Sequence, residues 1–218
     1  PRIPGRTHRE EIREAADRLQ SAVASLPRRP HGLLGVALGV PGVVDRASET
    51  VSSYDLGWNG VPLAALFRET FEAPVIVDNT ANLCLTAERD FGAASGEEHV
   101  CYIRLREGIA AGILMHGQIY RGAHGFAGNV GHTVVEARGV ACACGSRGCW
   151  TNYASDDALL RRFVRAEGPP SAAMDDFIRR VQQEDADACS ALQEFAGYAG
   201  IGIANLINTL NPGTVIID

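Results

Sequence analysis

The stretch GAHGFAGNVGHTVVEARGVACACGSRGCW, Gly122–Trp150, decides how this chain is to be read. It holds His132 and then Cys142, Cys144 and Cys149. One imidazole and three thiolates make a soft set of four donors, the composition of a closed, structural zinc site. Gly145 and Gly148 let the intervening loop fold back so that both flanking sulfurs point inward. A Cys-x-Cys pair alone would read as free thiols in a loop, with His132 a strand-end residue. The third cysteine and the histidine reverse that reading.

Before this loop the chain alternates helix and strand. Thr7-His-Arg-Glu10 has the form of a capping box, and Ile12, Ala16, Leu19 and Val23 recur at helical spacing up to Pro27. Gly32–Val40 reads as a buried strand running into Pro41-Gly42, and Leu63–Phe71 as a short helix. Pro74–Val77 reads as a second buried strand that delivers Asp78-Asn79-Thr80 to its end, with Ala81–Phe91 helical again. This alternation is an α/β layer. His99–Leu105, Ala110–Ile119 and His132–Val135 then read as strands of a β-meander. Helices are expected over 155–166, 173–183 and 186–210, with Gly168-Pro169-Pro170 breaking the first from the second. A last strand is expected at Thr214–Asp218. With so few parallel strands the sheet is expected to lack strands before Pro1 and to continue after Asp218.

The length of 218 residues and 46% hydrophobic content suit a globular protein able to bury a large core. A net charge of −6 is a poor match to a nucleic-acid surface. All 20 basic residues are arginine, which excludes a lysine Schiff base or a phosphate-clamping lysine. No apolar run suits a membrane span and no signal peptide is visible, so the chain reads as cytoplasmic. Cys84, Cys101 and Cys189 stand apart from the cluster, which suits a reduced compartment better than a disulfide framework.

The Gly122–Trp150 segment resembles the zinc-binding core of the ROK family, which groups bacterial sugar kinases with sugar-responsive repressors. Further pieces fall in the family's order: GVALGVPGVVD at 35–45, Trp58 with Val61-Pro62-Leu63, PVIVDNTAN at 74–82, Ala87-Glu88 with Phe91-Gly92, AAGILMHGQIYRG at 110–122 and IANLINTLNPGTVIID at 203–218. The resemblance implies an α/β, actin-like ATPase (ribonuclease H-like) fold of two lobes, incomplete at both ends. It places 1–78 with 203–218 in the smaller lobe and 79–202 in the larger one. It also implies one structural Zn²⁺ on His132, Cys142, Cys144 and Cys149.

Departures from the family pattern bear on activity. Where active members carry Asn-Asp, this chain has Asn79-Thr80, and a threonine hydroxyl cannot serve as general base near neutrality. A sugar-binding glutamate is replaced by Asn129, and a second, two residues after the last zinc cysteine, by Thr151. The phosphate loop reads Arg106-Glu107-Gly108-Ile109-Ala110-Ala111-Gly112, with Glu107 where ATP phosphates should lie. The resemblance therefore implies a regulator's effector-binding and oligomerising part rather than a working kinase. Asn79, Asn129 and His132 are its expected contacts to a sugar-like effector. DNA would be bound by a winged helix-turn-helix before Pro1, and a homodimer or dimer of dimers is expected. The rival is a sugar kinase with a rearranged site, for which Asp78 is the only nearby carboxylate. Strand alternation turns Asp78 away from the face that Asn79 lines. His116 and His124 read as loop residues, and Trp58 and Trp150 as packing residues.

Overall fold

The computed structural model describes residues 7–27, 30–163 and 170–218, which fall into two compact units. Unit 1 is Pro1–Leu83 with Arg121–Phe126, and unit 2 is Cys84–Tyr120 with Ala127–Asp218.

Unit 1 opens with α1 (His8–Ala24), started by the expected capping box between Thr7 and Glu10. Its Ile12 and Ala16 are buried against a core that includes Val36, Val51, Leu63, Phe67 and Val75. Strand β1 (Val36–Val40) pairs in parallel with β5 (Val75–Asn79), Gly39 opposite Asp78 and Val40 opposite Asn79. A parallel pair needs a crossover, and here it holds β2 (Val43–Asp45), β3 (Thr50–Ser53), β4 (Trp58–Val61) and α2 (Leu63–Arg68). The antiparallel sheet β2-β3-β4 has no counterpart in the sequence reading. Its strands are three or four residues long and broken by Ser, Gly and Asp, too short for a period to register. Strand β5 also runs two residues beyond the expected Val77, so Asp78 and Asn79 are strand residues and α3 (Thr80–Phe91) follows directly.

Unit 2 is built on a four-stranded sheet in the order β8-β7-β6-β9. β6 (Val100–Leu105), β7 (Ile109–Met115) and β8 (Gln118–Ile119) form the antiparallel meander, and β9 (Thr214–Ile217) adds in parallel to β6. Four helices follow the metal loop in the chain: α4 (Thr151–Ala154), α5 (Asp156–Phe163), α6 (Pro170–Gln182) and α7 (Ala186–Leu210). Asp185 caps α7 at its start, and Asn211, left-handed at φ 45°, ends it before Pro212. The core joins Cys101, Ile103, Ile109, Trp150, Ala154 and Ala199, with Leu206 and Val215 packed on it.

Three expectations need correction. Residues 203–218 do not join the first unit: α7 and β9 pack on and pair with unit 2, because β9 zips onto β6 from Val100–Thr214 to Ile103–Ile217. The division also falls at Leu83/Cys84 inside α3, with 121–126 returning to unit 1. Residues 132–135 are not a strand. Val130–His132 is a 3-10 turn, and only an isolated bridge links Val134 to Cys149. The turn is closed by His132 N–H donating to Asn129 O and Thr133 N–H to Val130 O, and it lies so close to the Ile109 carbonyl that a Cβ on Gly131 would come within 2.2 Å of it. The end of the helix expected over 155–166 and the break at Gly168 and Pro169 lie outside the described residues.

Candidate functional site

The metal loop is held from both sides by backbone hydrogen bonds. Val135 N–H donates to Gly148 O, Trp150 N–H to Thr133 O and Cys142 N–H to Ser146 O. Gly148, at φ 71°, sits where a Cβ would meet the Glu136 carbonyl at 1.7 Å, so that turn requires glycine. The four donor atoms of His132, Cys142, Cys144 and Cys149 lie within 4.8 Å of one another. Cys142 Sγ is 3.6 Å from His132 Nδ1, and Cys144 Sγ is 3.6 Å from Cys149 Sγ. A tetrahedral ion with Zn–S of about 2.3 Å and Zn–N of about 2.0 Å has S–N and S–S edges of roughly 3.5 and 3.8 Å. The donor set therefore fits zinc in both chemistry and span. Burial, with Cys144 and Cys142 beside it, pushes the Cys149 thiol up to about 12. A bound cation would hold these sulfurs as thiolates.

The loop is anchored on helices of unit 2. Trp150 is fully buried and its Nε1 donates to Tyr198 O at 2.9 Å. The Tyr153 hydroxyl accepts from Val140 N–H, and its ring lies 4.5 Å from that of Tyr198. Arg162 stacks over both tyrosines. Trp150 is thus a packing residue, as expected, and so is Trp58, which lies on the unit 1 core.

In unit 1 the strand end of β5 carries Asp78 and Asn79. Asn79 Oδ1 accepts from Ala81 N–H at 2.8 Å, capping α3, and its Nδ2 donates to Gly42 O at 2.6 Å. Thr80 is half-buried, with its hydroxyl beside Gly39. Asp78 is buried, and Arg121 Nε and Nη2 both donate to its Oδ2, at 3.1 and 2.6 Å. Its Oδ1 accepts from Asn79 N–H and Asn82 Nδ2. Burial alone would raise the Asp78 pKa, but the bonds from Arg121, Asn82 and Asn79 outweigh it and hold the carboxyl below its usual range.

In unit 2, Asn129 is half-buried and precedes the 3-10 turn, with its carbonyl accepting from His132 N–H. Thr151 begins α4. Glu107 is exposed in the turn between β6 and β7, while residues 109–112 of the expected phosphate loop are part of β7. His116 sits in a turn with its ring against His99, while His124, in unit 1, is exposed and 4.0 Å from Asp45 of the same unit. Sequence reasoning missed Arg121. Its partner lies 43 residues away, and no local pattern announces so distant a pair.

Comparison with known proteins settles the family. The chain matches the ROK family over residues 3–218. The chain belongs to the ROK family. The actin-like α/β fold expected from the resemblance is the fold of this chain. It is 34% identical over 201 residues to the xylose repressor of Bacillus subtilis, a match covering 92% of this chain and 52% of that protein. It is 30% identical over 233 residues to a glucokinase of Streptomyces coelicolor, covering 99% of this chain and 72% of that one. The chain thus spans about half the length of the xylose repressors it matches. Among solved structures, a ROK glucokinase from Streptomyces griseus, in complex with glucose and AMPPNP, superposes with a TM-score of 0.79 at 31% identity, over 94% of this chain and 70% of that one. A ROK transcriptional regulator, homologous to the Escherichia coli Mlc protein, gives a TM-score of 0.74 at 26% identity, over 95% and 54% of the two chains. Among the described residues, no helix is long and apolar enough to cross a membrane.

Proposed function

We propose that this chain is the effector-binding and oligomerising part of a ROK-family transcriptional regulator that responds to a sugar or sugar-like ligand and has no kinase activity. The observation that carries this reading is the engagement of Asp78. A kinase needs a general base at the sugar hydroxyl, and the residue in the family's base position is Thr80. The neighbouring carboxylate cannot take over, because Arg121 holds one of its oxygens while Asn79 N–H and Asn82 occupy the other. A carboxylate held ionised by a cation is a weak proton acceptor.

In this reading Asn79, Asn129 and His132 meet the effector. His132 serves twice, because the same ring binds zinc through the loop. Zinc supplies no chemistry here beyond fixing that loop with Cys142, Cys144 and Cys149. DNA would be bound by a winged helix-turn-helix outside this chain, and the protein would act as a homodimer or a dimer of dimers. Both glutamates of the family's sugar site are neutral here, so an ordinary hexose should bind weakly.

A second reading, a sugar kinase with an altered site, draws on the similarity to glucokinases along the chain. One assay separates the two. Full-length protein is offered ATP with D-xylose, common hexoses and N-acetylated amino sugars while ADP release is followed, and sugar binding is measured by calorimetry. Binding without turnover is expected; clear turnover would establish the kinase reading.

A further inference from the structure

The chain returns to unit 1 for Arg121–Phe126, where Gly125 and Arg121 both meet it closely. Gly125, at φ 76°, lies on Val44, whose carbonyl oxygen a Cβ would meet at 2.0 Å. Arg121 forks onto Oδ2 of Asp78. The other Asp78 oxygen receives the backbone N–H of Asn79 at 2.8 Å and Asn82 Nδ2 at 3.0 Å. One buried carboxylate therefore carries a guanidinium on one oxygen and the strand-to-helix turn on the other.

We propose that Arg121 is a positioning residue for the effector site, acting through Asp78 on Asn79. This rests on the reading of Asn79 as an effector contact. A lone bond to a carboxylate leaves its plane free to rotate. Two N–H groups converging on Oδ2 fix the direction of Oδ1, and Oδ1 sets where the Asn79 backbone sits. Asn79 cannot compensate by swinging its side chain, which is already tied to Gly42 O and Ala81 N–H. Where its amide points follows the main chain. A displacement of about 1 Å in a positioning group is enough to cost on the order of 100-fold in a tightly defined site. Stability alone would not call for this arrangement, since an apolar pair of similar volume can stabilise a core as well as a buried ion pair. A lysine would supply the charge but not the fork.

The test uses full-length protein with D-xylose and D-glucose as probes, and measures Kd by calorimetry well below the melting temperature. Arg121→Lys is expected to stay folded and weaken binding of whichever probe the natural protein takes by 3–10-fold, and Arg121→Met by more than 10-fold. Arg68→Met, which breaks the exposed pair with Glu49 in the same unit, should leave Kd within twofold. Folded Arg121→Lys and Arg121→Met proteins with natural Kd values would overturn the proposal. If Arg121→Met fails to fold, Arg121→Lys decides alone, a natural Kd counting against it. Natural protein that binds neither probe would instead overturn the effector reading, and this inference with it.

Discussion

The indole of Trp150 lies flat against Gly202 of α7, where a Cβ would come within 2.0 Å of the ring. Trp150 follows the last metal-loop cysteine, so this contact fixes the loop to the helix. Gly→Ala in a helix normally stabilises by about 1 kcal/mol. At Gly202 overpacking against a buried ring should outweigh that gain and leave a net loss of about 1–3 kcal/mol. At Gly197 and Gly200, where an added Cβ meets nothing within 4 Å, the same change should stabilise by up to about 1 kcal/mol. Urea melts of the three single variants check the opposite signs.

Asp78 makes stability depend on pH. Its pKa is held below the unfolded value of about 3.9, so its contribution is full above that pH and is lost as pH falls through the folded value. Acid melts should show a stability slope below about pH 4 that Asp78→Asn flattens. At neutral pH, Arg121→Met should destabilise unit 1 by about 3–5 kcal/mol, because it leaves a buried charge without its cation. Thermal melts at pH 7 and pH 3 check both, and the Arg121→Met penalty should shrink at the lower pH.

The capping box of α1 offers a local test. Thr7 Oγ1 accepts from Glu10 N–H at 3.3 Å, and Glu10 Oε2 accepts from Thr7 N–H at 2.8 Å. Thr7→Ala should cost about 1 kcal/mol, since it removes the side-chain acceptor at the helix start. Amide exchange in the first turn of α1 should speed up, while the helix beyond Ile12, buried in the core, keeps its protection.

What the sequence disclosed followed the range of the interactions. Thr7 and Glu10 are three residues apart, and α1 begins where they say it should. The four candidate metal donors span one loop, so their spacing alone pointed to the cluster they form. The placement of α7 and β9 was not legible, because apolar strands such as Val100–Leu105 and Thr214–Ile217 do not name their partners. The Asp78–Arg121 pair was hidden for the same reason. Strand alternation set Asp78 apart from the face that Asn79 lines, yet nothing near it pointed to a guanidinium. The need for glycine at 131 comes from the carbonyl of Ile109, a neighbour that local patterning cannot register.

Removing the metal should release the contact between loop and helix. We expect purified protein to hold one zinc per chain, since the four donors close a tetrahedron with no position left over. Without the cation, the four side chains keep only the weak contacts at 3.6 Å between Cys142 and His132 and between Cys144 and Cys149 in place of bonds to one ion. The lost tie is felt at Cys149, which is buried and directly precedes Trp150. This chain has two tryptophans, Trp58 in unit 1 and Trp150 in unit 2, so Trp58→Phe leaves Trp150 as the indole reporter within it. Chelation in that background should shift the emission to the red as the Nε1 bond to Tyr198 O opens and water reaches the ring. Amide exchange in α7 around Ala199 and Gly202 should quicken with it, while α1 is unchanged. A colorimetric zinc assay run alongside separates two failures. Zinc released without a change in emission would sever the loop from the helix, whereas no zinc at all would remove the metal.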